Sequence, residues 1–212
     1  MTISKTSFKT VLFISALPFV SLAKAPSFTG VYVGGSVAYR SFETIINNNN
    51  QVTSSNYKFK GNSTLFEGLV GKGKSWKRLY VGYEFSTGFN TGKATSNAAP
   101  SMRVNNNWQF GLAARIGAPI PESSFMPYLG LGVEYRQMSF KSTTSTSSFY
   151  DFSLGPLVGF EMLLDDTWRM RLEGAYQITV HNTNLPAQYK FKESPSSFIL
   201  KGSLIYKIPR TD

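Results

Sequence analysis

The residue types that usually carry catalysis are scarce in this chain, which has one histidine, His181, and no cysteine. A base must lie within hydrogen-bond reach of its nucleophile. His181 has Thr179 and Thr183 nearby, but no serine or carboxylate at a spacing that selects it. Lack of cysteine rules out disulfides, thiolate zinc sites and cysteine nucleophiles, and with a single histidine besides, a metal would depend on carboxylates and carbonyls. Asp165-Asp166 reads as a tight turn, where acids suit the local geometry. No catalytic residue, metal ligand or cofactor is assigned, and the remaining chemistry is that of charge.

The charges fall into two sets. The first is Arg40, Glu67, Glu84, Arg115, Glu134, Arg136, Asp151, Glu161, Arg169, Arg171, Glu173 and Lys201. They stand in stretches where apolar residues recur at every second position, the period of a strand rather than a helix. From Trp168 to Val180 the even positions are Trp, Met, Leu, Gly, Tyr, Ile and Val, and the odd ones include Arg169, Arg171 and Glu173. Val31, Val33, Val37 and Tyr39 oppose Ser36, Ala38 and Arg40, and Trp108, Phe110, Leu112 and Ile116 oppose Ala113 and Arg115. Similar alternation runs through 79–85, 128–136, 150–162 and 198–208, with Leu157 breaking the pattern. It is weakest over 57–71, where Leu65 and Leu69 share a face with Glu67, which is assigned inward. These segments make eight strands, an even number, as a closed antiparallel bacterial barrel requires.

The second set is Lys58, Lys60, Lys93, Arg103, Lys141, Lys190 and Lys192. These cations gather near long polar connections at 43–56, 86–105, 141–148 and 181–195, which alternate with short links at 73–77, 117–124 and 164–167. Alternating long and short connections predict external loops on one rim and tight turns on the other. The run Asn47 to Asn50 is expected to be a flexible loop tip.

Lys5 and Lys9, the apolar run Val11 to Leu22 and the small residues Ser21 and Ala23 have the pattern of an export signal, removed after Ala23. This leaves 24–212 as a single domain and lowers the formal charge from +10 to +8. For an exported basic protein, lipid phosphates or a surface polyanion are better partners than nucleic acid.

Alternation alone also fits a soluble barrel, which keeps its apolar residues inside. Here the polar face carries Gly, Ala and Ser with isolated charges of both signs, a composition suited to a narrow lumen. The apolar face carries Tyr39, Trp108, Tyr150, Trp168, Tyr176 and Tyr206 toward strand ends, as at a membrane interface. The reading is therefore an all-β, eight-stranded antiparallel up-and-down transmembrane β-barrel. Its inward charges must pair, because losing one partner of a buried pair costs on the order of 3–5 kcal/mol. A lumen this narrow fills with side chains, so a plug is expected, with a small conducting pore as the alternative.

The opening strand Phe28-Thr29-Gly30-Val31-Tyr32-Val33-Gly34-Gly35-Ser36-Val37-Ala38-Tyr39 and the segment Pro127-Tyr128-Leu129-Gly130-Leu131-Gly132-Val133-Glu134-Tyr135 resemble strands of the OmpA-like barrel superfamily. The closer resemblance is to the opacity-type surface antigens of alphaproteobacteria. It covers essentially the whole mature chain and implies a monomer in the outer membrane of a Gram-negative bacterium, delivered by the barrel-insertion machinery. Its implied partners are outer-membrane lipid and lipopolysaccharide, or a host surface molecule touched through loops. Some similar barrels bind haemin, where His181 or a tyrosine would be the axial ligand, and some modify lipid A, where His181 would be the candidate base. The chain departs from the family in ending Tyr206-Lys207-Ile208-Pro209-Arg210-Thr211-Asp212 rather than on an aromatic residue, which bears on insertion.

Overall fold

The computed structural model describes residues 28–50, 53–76, 78–96, 103–141, 146–183 and 189–209. The leader expected at 1–23 and the last residues, 210–212, lie outside them. Eight strands follow in chain order: β1 (Gly30–Asn50), β2 (Thr53–Trp76), β3 (Leu79–Ser96), β4 (Arg103–Gly117), β5 (Phe125–Lys141), β6 (Thr146–Leu163), β7 (Trp168–Thr183) and β8 (Tyr189–Lys207). Each is antiparallel to the next, and β1 also pairs with β8, closing the barrel. Val33 sets the closure register, opposite Val70 of β2 and Tyr206 of β8.

Alternation becomes two walls. Val37, Tyr83, Leu112, Leu129, Val158 and Met170 are exposed on the outside, and the charged positions between them are buried inside. Glu67 points inward, with Leu65 and Leu69 beside it. Leu157, which interrupts the apolar phase of its strand, faces the lumen and packs with Ala38, Leu65, Tyr128, Ala175 and Ile199. The interruption is thus a change of residue type on a regular strand rather than an irregular backbone.

The polar connections expected to be long loops are largely strand. β1 runs to Asn50 and β2 begins at Thr53, with Asn50 directly opposite Thr53, so the backbone of Asn47 to Asn50 belongs to a hairpin ladder and not to a loop tip. The other upper hairpins likewise reach Ser96, Arg103, Lys141, Thr146, Thr183 and Tyr189. At 15 to 24 residues, the strands far exceed the ~9–11 that a tilted strand needs to cross a bilayer.

Their extensions hold together because the faces exchange chemistry. Above the apolar band, Phe42, Phe59, Ala94, Val104, Met138, Phe140 and Phe149 are buried inside the barrel as an apolar core. Lys58, Lys60, Lys93, Arg103 and Lys141 are exposed outside. On β1, β2, β3 and β5 the strand period continues while the surroundings change. On β4 an extra residue between Asn106 and Gln109 shifts the phase, turning Val104 inward and Arg103 outward. A wall that is apolar outward in lipid thus becomes apolar inward in water. Polarity without this context looks like a loop, which is why the sequence suggests one.

Two inward tyrosines lower in the barrel depend on glycine. A Cβ on Gly71 would lie 2.3 Å from Tyr32 Cζ, and one on Gly73 would lie 2.3 Å from Tyr80 Oη. At the lower rim Phe28 packs with Tyr80, Met126 and Leu163, beneath the charged layer.

Candidate functional site

The buried charged side chains of the described residues are Arg40, Glu67, Glu84, Arg115, Glu134, Arg136, Asp151, Glu161, Arg169, Arg171, Glu173 and Lys201. Six are cationic and six acidic, so the lumen is formally neutral. All project inward because each occupies the lumen phase of its strand, and the closed sheet brings residues from distant strands within contact.

Eight of them form one chain of alternating sign. Arg169 Nη1 donates to Glu161 Oε1 at 2.9 Å, and Arg171 reaches Glu161 Oε2 through Nε at 3.0 Å and Nη2 at 2.8 Å. Arg171 Nη1 donates to Glu84 Oε2 at 2.5 Å, and Arg115 Nη2 donates to Glu84 Oε1 at 2.9 Å. Arg115 also holds Glu173 Oε2 through Nε at 3.0 Å and Nη2 at 2.8 Å. Lys201 Nζ lies 3.9 Å from Glu173 Oε1 and 2.7 Å from Glu67 Oε2. The chain thus runs Arg169, Glu161, Arg171, Glu84, Arg115, Glu173, Lys201, Glu67.

The other four make two pairs. Arg40 Nη2 donates to Glu134 Oε2 at 2.6 Å. Arg136 Nη2 donates to Asp151 Oδ2 and, at 3.4 Å, to Thr179 Oγ1.

Neutral groups brace the ends of the chain. Glu67 accepts from Ser36 Oγ at 2.9 Å, Gln109 Nε2 at 2.9 Å and Ser86 Oγ at 3.3 Å. Tyr128 Oη donates to Glu173 Oε2 at 3.0 Å, and the Arg171 guanidinium lies 5.6 Å from the Tyr32 ring and 5.8 Å from the Tyr128 ring. Arg169 Nη1 donates to the Phe28 carbonyl at 3.2 Å. Sequence alone did not select these neutral partners. Ser, Gln and Tyr at lumen positions are recognisable only once the register places them beside a charge. Among the inner charges lies a cavity of about 30 Å³, lined in part by Glu84, Arg115, Glu134 and Lys201, room for one or two waters.

Five of the second set of cations, Lys58, Lys60, Lys93, Arg103 and Lys141, are on the outer wall. Lys60 stands opposite Thr95, Thr95 opposite Arg103, and Arg103 opposite Lys141, so three cations lie in one pairing row across four strands, with Glu43 opposite Lys60. Lys93 stands opposite Asn62 and Asn105 in a neighbouring row. Glu43 accepts from Lys58 and, at 3.0 Å, from Lys60, in exposed pairs that solvent screens. Lys190 and Lys192 lie on β8, but their side chains fall outside the described residues. The same holds for His181, whose backbone lies in β7 opposite Phe152. No cluster of three or more His, Cys, Asp or Glu suited to a metal occurs among the described residues.

A closed eight-stranded ring with an apolar outer band and a charged interior defines a membrane β-barrel. Residues 10–194 match the outer membrane protein beta-barrel domain family, and the chain belongs to it. It is an eight-stranded barrel of the outer membrane of a Gram-negative bacterium. No curated protein sequence matches it. Among solved structures it is similar to the neisserial surface protein NspA, at 16% identity and a TM-score of 0.51, covering 85% of this chain and 98% of that one. It is also similar to the outer membrane protein AlkL, determined in lipid bilayers, at 11% identity and a TM-score of 0.52, covering 93% and 100%. OprG of Pseudomonas aeruginosa aligns at 12% identity and a TM-score of 0.47, covering 86% and 97%. At these identities the likeness is one of fold.

Proposed function

We propose that the protein is a non-enzymatic surface barrel, closed by its charged lumen, that engages lipopolysaccharide phosphates through its outer cations. The observation that carries this is the row of Lys60, Arg103 and Lys141, three exposed cations in register above the aromatic band. The four residues from Tyr39 to Glu43 on β1 raise the row about 13 Å along the strand, at ~3.3 Å per residue. Beyond the aromatic residues along these tilted strands, the row suits head groups and sugars rather than acyl chains. Lys93 extends the charged surface, Glu43 engages Lys58 and Lys60, and Arg103 and Lys141 form no ion pair among the described residues. Backbone pairing fixes the strands beneath these cations, so less order is lost on binding than with cations on free loops.

Binding of the folded protein to immobilised lipopolysaccharide at low and high salt tests this. Wild type binds in a salt-sensitive way, and Lys60→Gln/Arg103→Gln/Lys141→Gln loses most of the binding while keeping its heat-dependent mobility on a denaturing gel. Equal binding by the two proteins, or no binding at low salt, rejects the proposal.

A further inference from the structure

The periplasmic rim carries a further cluster of charge, apart from the lumen's charged chain and from the external row. A cleft of about 790 Å³ opens there, where the start of β1, the end of β2, the turn between β6 and β7 and the end of β8 meet. Three lysines, Lys72, Lys74 and Lys207, and two aspartates, Asp165 and Asp166, are among the residues that line it. Asp165 is engaged within its turn, where Oδ1 accepts from the backbone N–H groups of Thr167 and Trp168, both at 2.6 Å, and from Thr167 Oγ1 at 2.7 Å. Lys72, Lys207 and Asp166 form no ion pair among the described residues.

Two further features shape the cleft. Gly30 has φ +134°, a conformation that disfavours any side chain, and the Lys207 stem packs 3.5 Å from where its Cβ would be. The start of β1 therefore stays open while Lys207 is laid across it. The surrounding residues set the depth: Lys74 Nζ lies 4.9 Å from the Trp76 ring centroid, and Trp168 packs edge-on against Tyr206 at 5.1 Å. Tryptophan and tyrosine concentrate at the level of lipid head groups. Above them Val31, Val33 and Val70 are exposed on the outer wall, where acyl chains would lie.

We propose that this cleft binds the headgroup of a phospholipid of the periplasmic leaflet that carries both a phosphodiester and a primary ammonium. The phosphate sits among Lys72, Lys74 and Lys207, and the ammonium is held by Asp166. A phosphate alone would leave Asp166 beside a second anion, whereas a zwitterionic headgroup neutralises both signs. A choline headgroup meets the same charges but has no N–H to donate to the carboxylate.

Native mass spectrometry of the folded, detergent-purified barrel, offered equimolar phosphatidylethanolamine, phosphatidylglycerol and phosphatidylcholine of identical chains, tests this. Phosphatidylethanolamine is expected to be retained severalfold over the other two. Lys72→Gln/Lys74→Gln/Lys207→Gln should lose that retention, and Asp166→Asn should remove the preference over phosphatidylcholine while leaving some binding. Each variant is compared only after its heat-dependent gel shift shows a folded barrel. Equal retention of the three lipids, a preference for phosphatidylglycerol, or variants that behave as wild type overturn the proposal. Excess inorganic phosphate should leave the lipid in place, and displacement by it would assign the cleft to a soluble anion instead.

Discussion

Arg171 joins two acids from different strands, with Nη2 2.8 Å from Glu161 of β6 and Nη1 2.5 Å from Glu84 of β3. It is the link through which the lower end of the lumen chain, Arg169 and Glu161, connects to the middle. Arg171→Met leaves each buried acid one cation short, and the expected loss is about 3–5 kcal/mol. A lower urea midpoint for unfolding from detergent micelles would show it. Adding Glu84→Gln should recover part of the loss, because Arg115 still holds Glu173. If the single substitution leaves the midpoint unchanged, the chain of charges does not stabilise the barrel.

The apolar core above the membrane makes a separate prediction. Phe59 and Phe140 meet edge to face, with ring centroids 6.3 Å apart and planes at 76°. Phe140→Ala should cost about 3–5 kcal/mol through the cavity it leaves, felt mainly in the extended hairpins. Limited proteolysis of the folded protein is expected to cut the upper strands faster in this variant while the membrane-embedded part stays protected. Unchanged protection above the membrane would mean that the inner phenylalanines do not hold the extensions.

Asp165 supplies a pH dependence outside the membrane. Backbone donation from Trp168, together with Thr167, holds its carboxyl below the ordinary value of 3.8. Because the folded value is depressed, its contribution to the turn is fully present above that ordinary value and is lost as pH falls through the lower folded value. Fluorescence of Trp168, read in a Trp76→Phe/Trp108→Phe background, should shift in that acid window, and Asp165→Asn should flatten the transition. A transition that persists in Asp165→Asn belongs to another group.

Much of the fold could be read from the sequence, because the residue period reports which wall a side chain is on. That period puts Glu67 on the inner face despite its leucine neighbours, and the charged residues that are buried among those described stand at positions of the same phase. It could not supply partners. Arg40 and Glu134 are 94 positions apart and meet across the lumen, a relation set by closure and stagger. Nor could it distinguish a water-facing strand from a loop. Lys58-Phe59-Lys60 keeps the strand period with the chemistry of its faces exchanged, which is recognisable only when the outside is known to change from lipid to water. The row of Lys60, Arg103 and Lys141 likewise depends on pairing register. Composition shows the cations but not their alignment.

A conductance recording in planar bilayers tests most directly whether the protein acts through its surfaces rather than its lumen. With six cations and six acids interlocked inside and aromatic side chains above and below them, the folded protein should give no discrete ion-channel steps across a bilayer in potassium chloride. Reproducible open-channel steps from the wild-type barrel would contradict this and make the lumen a conducting path.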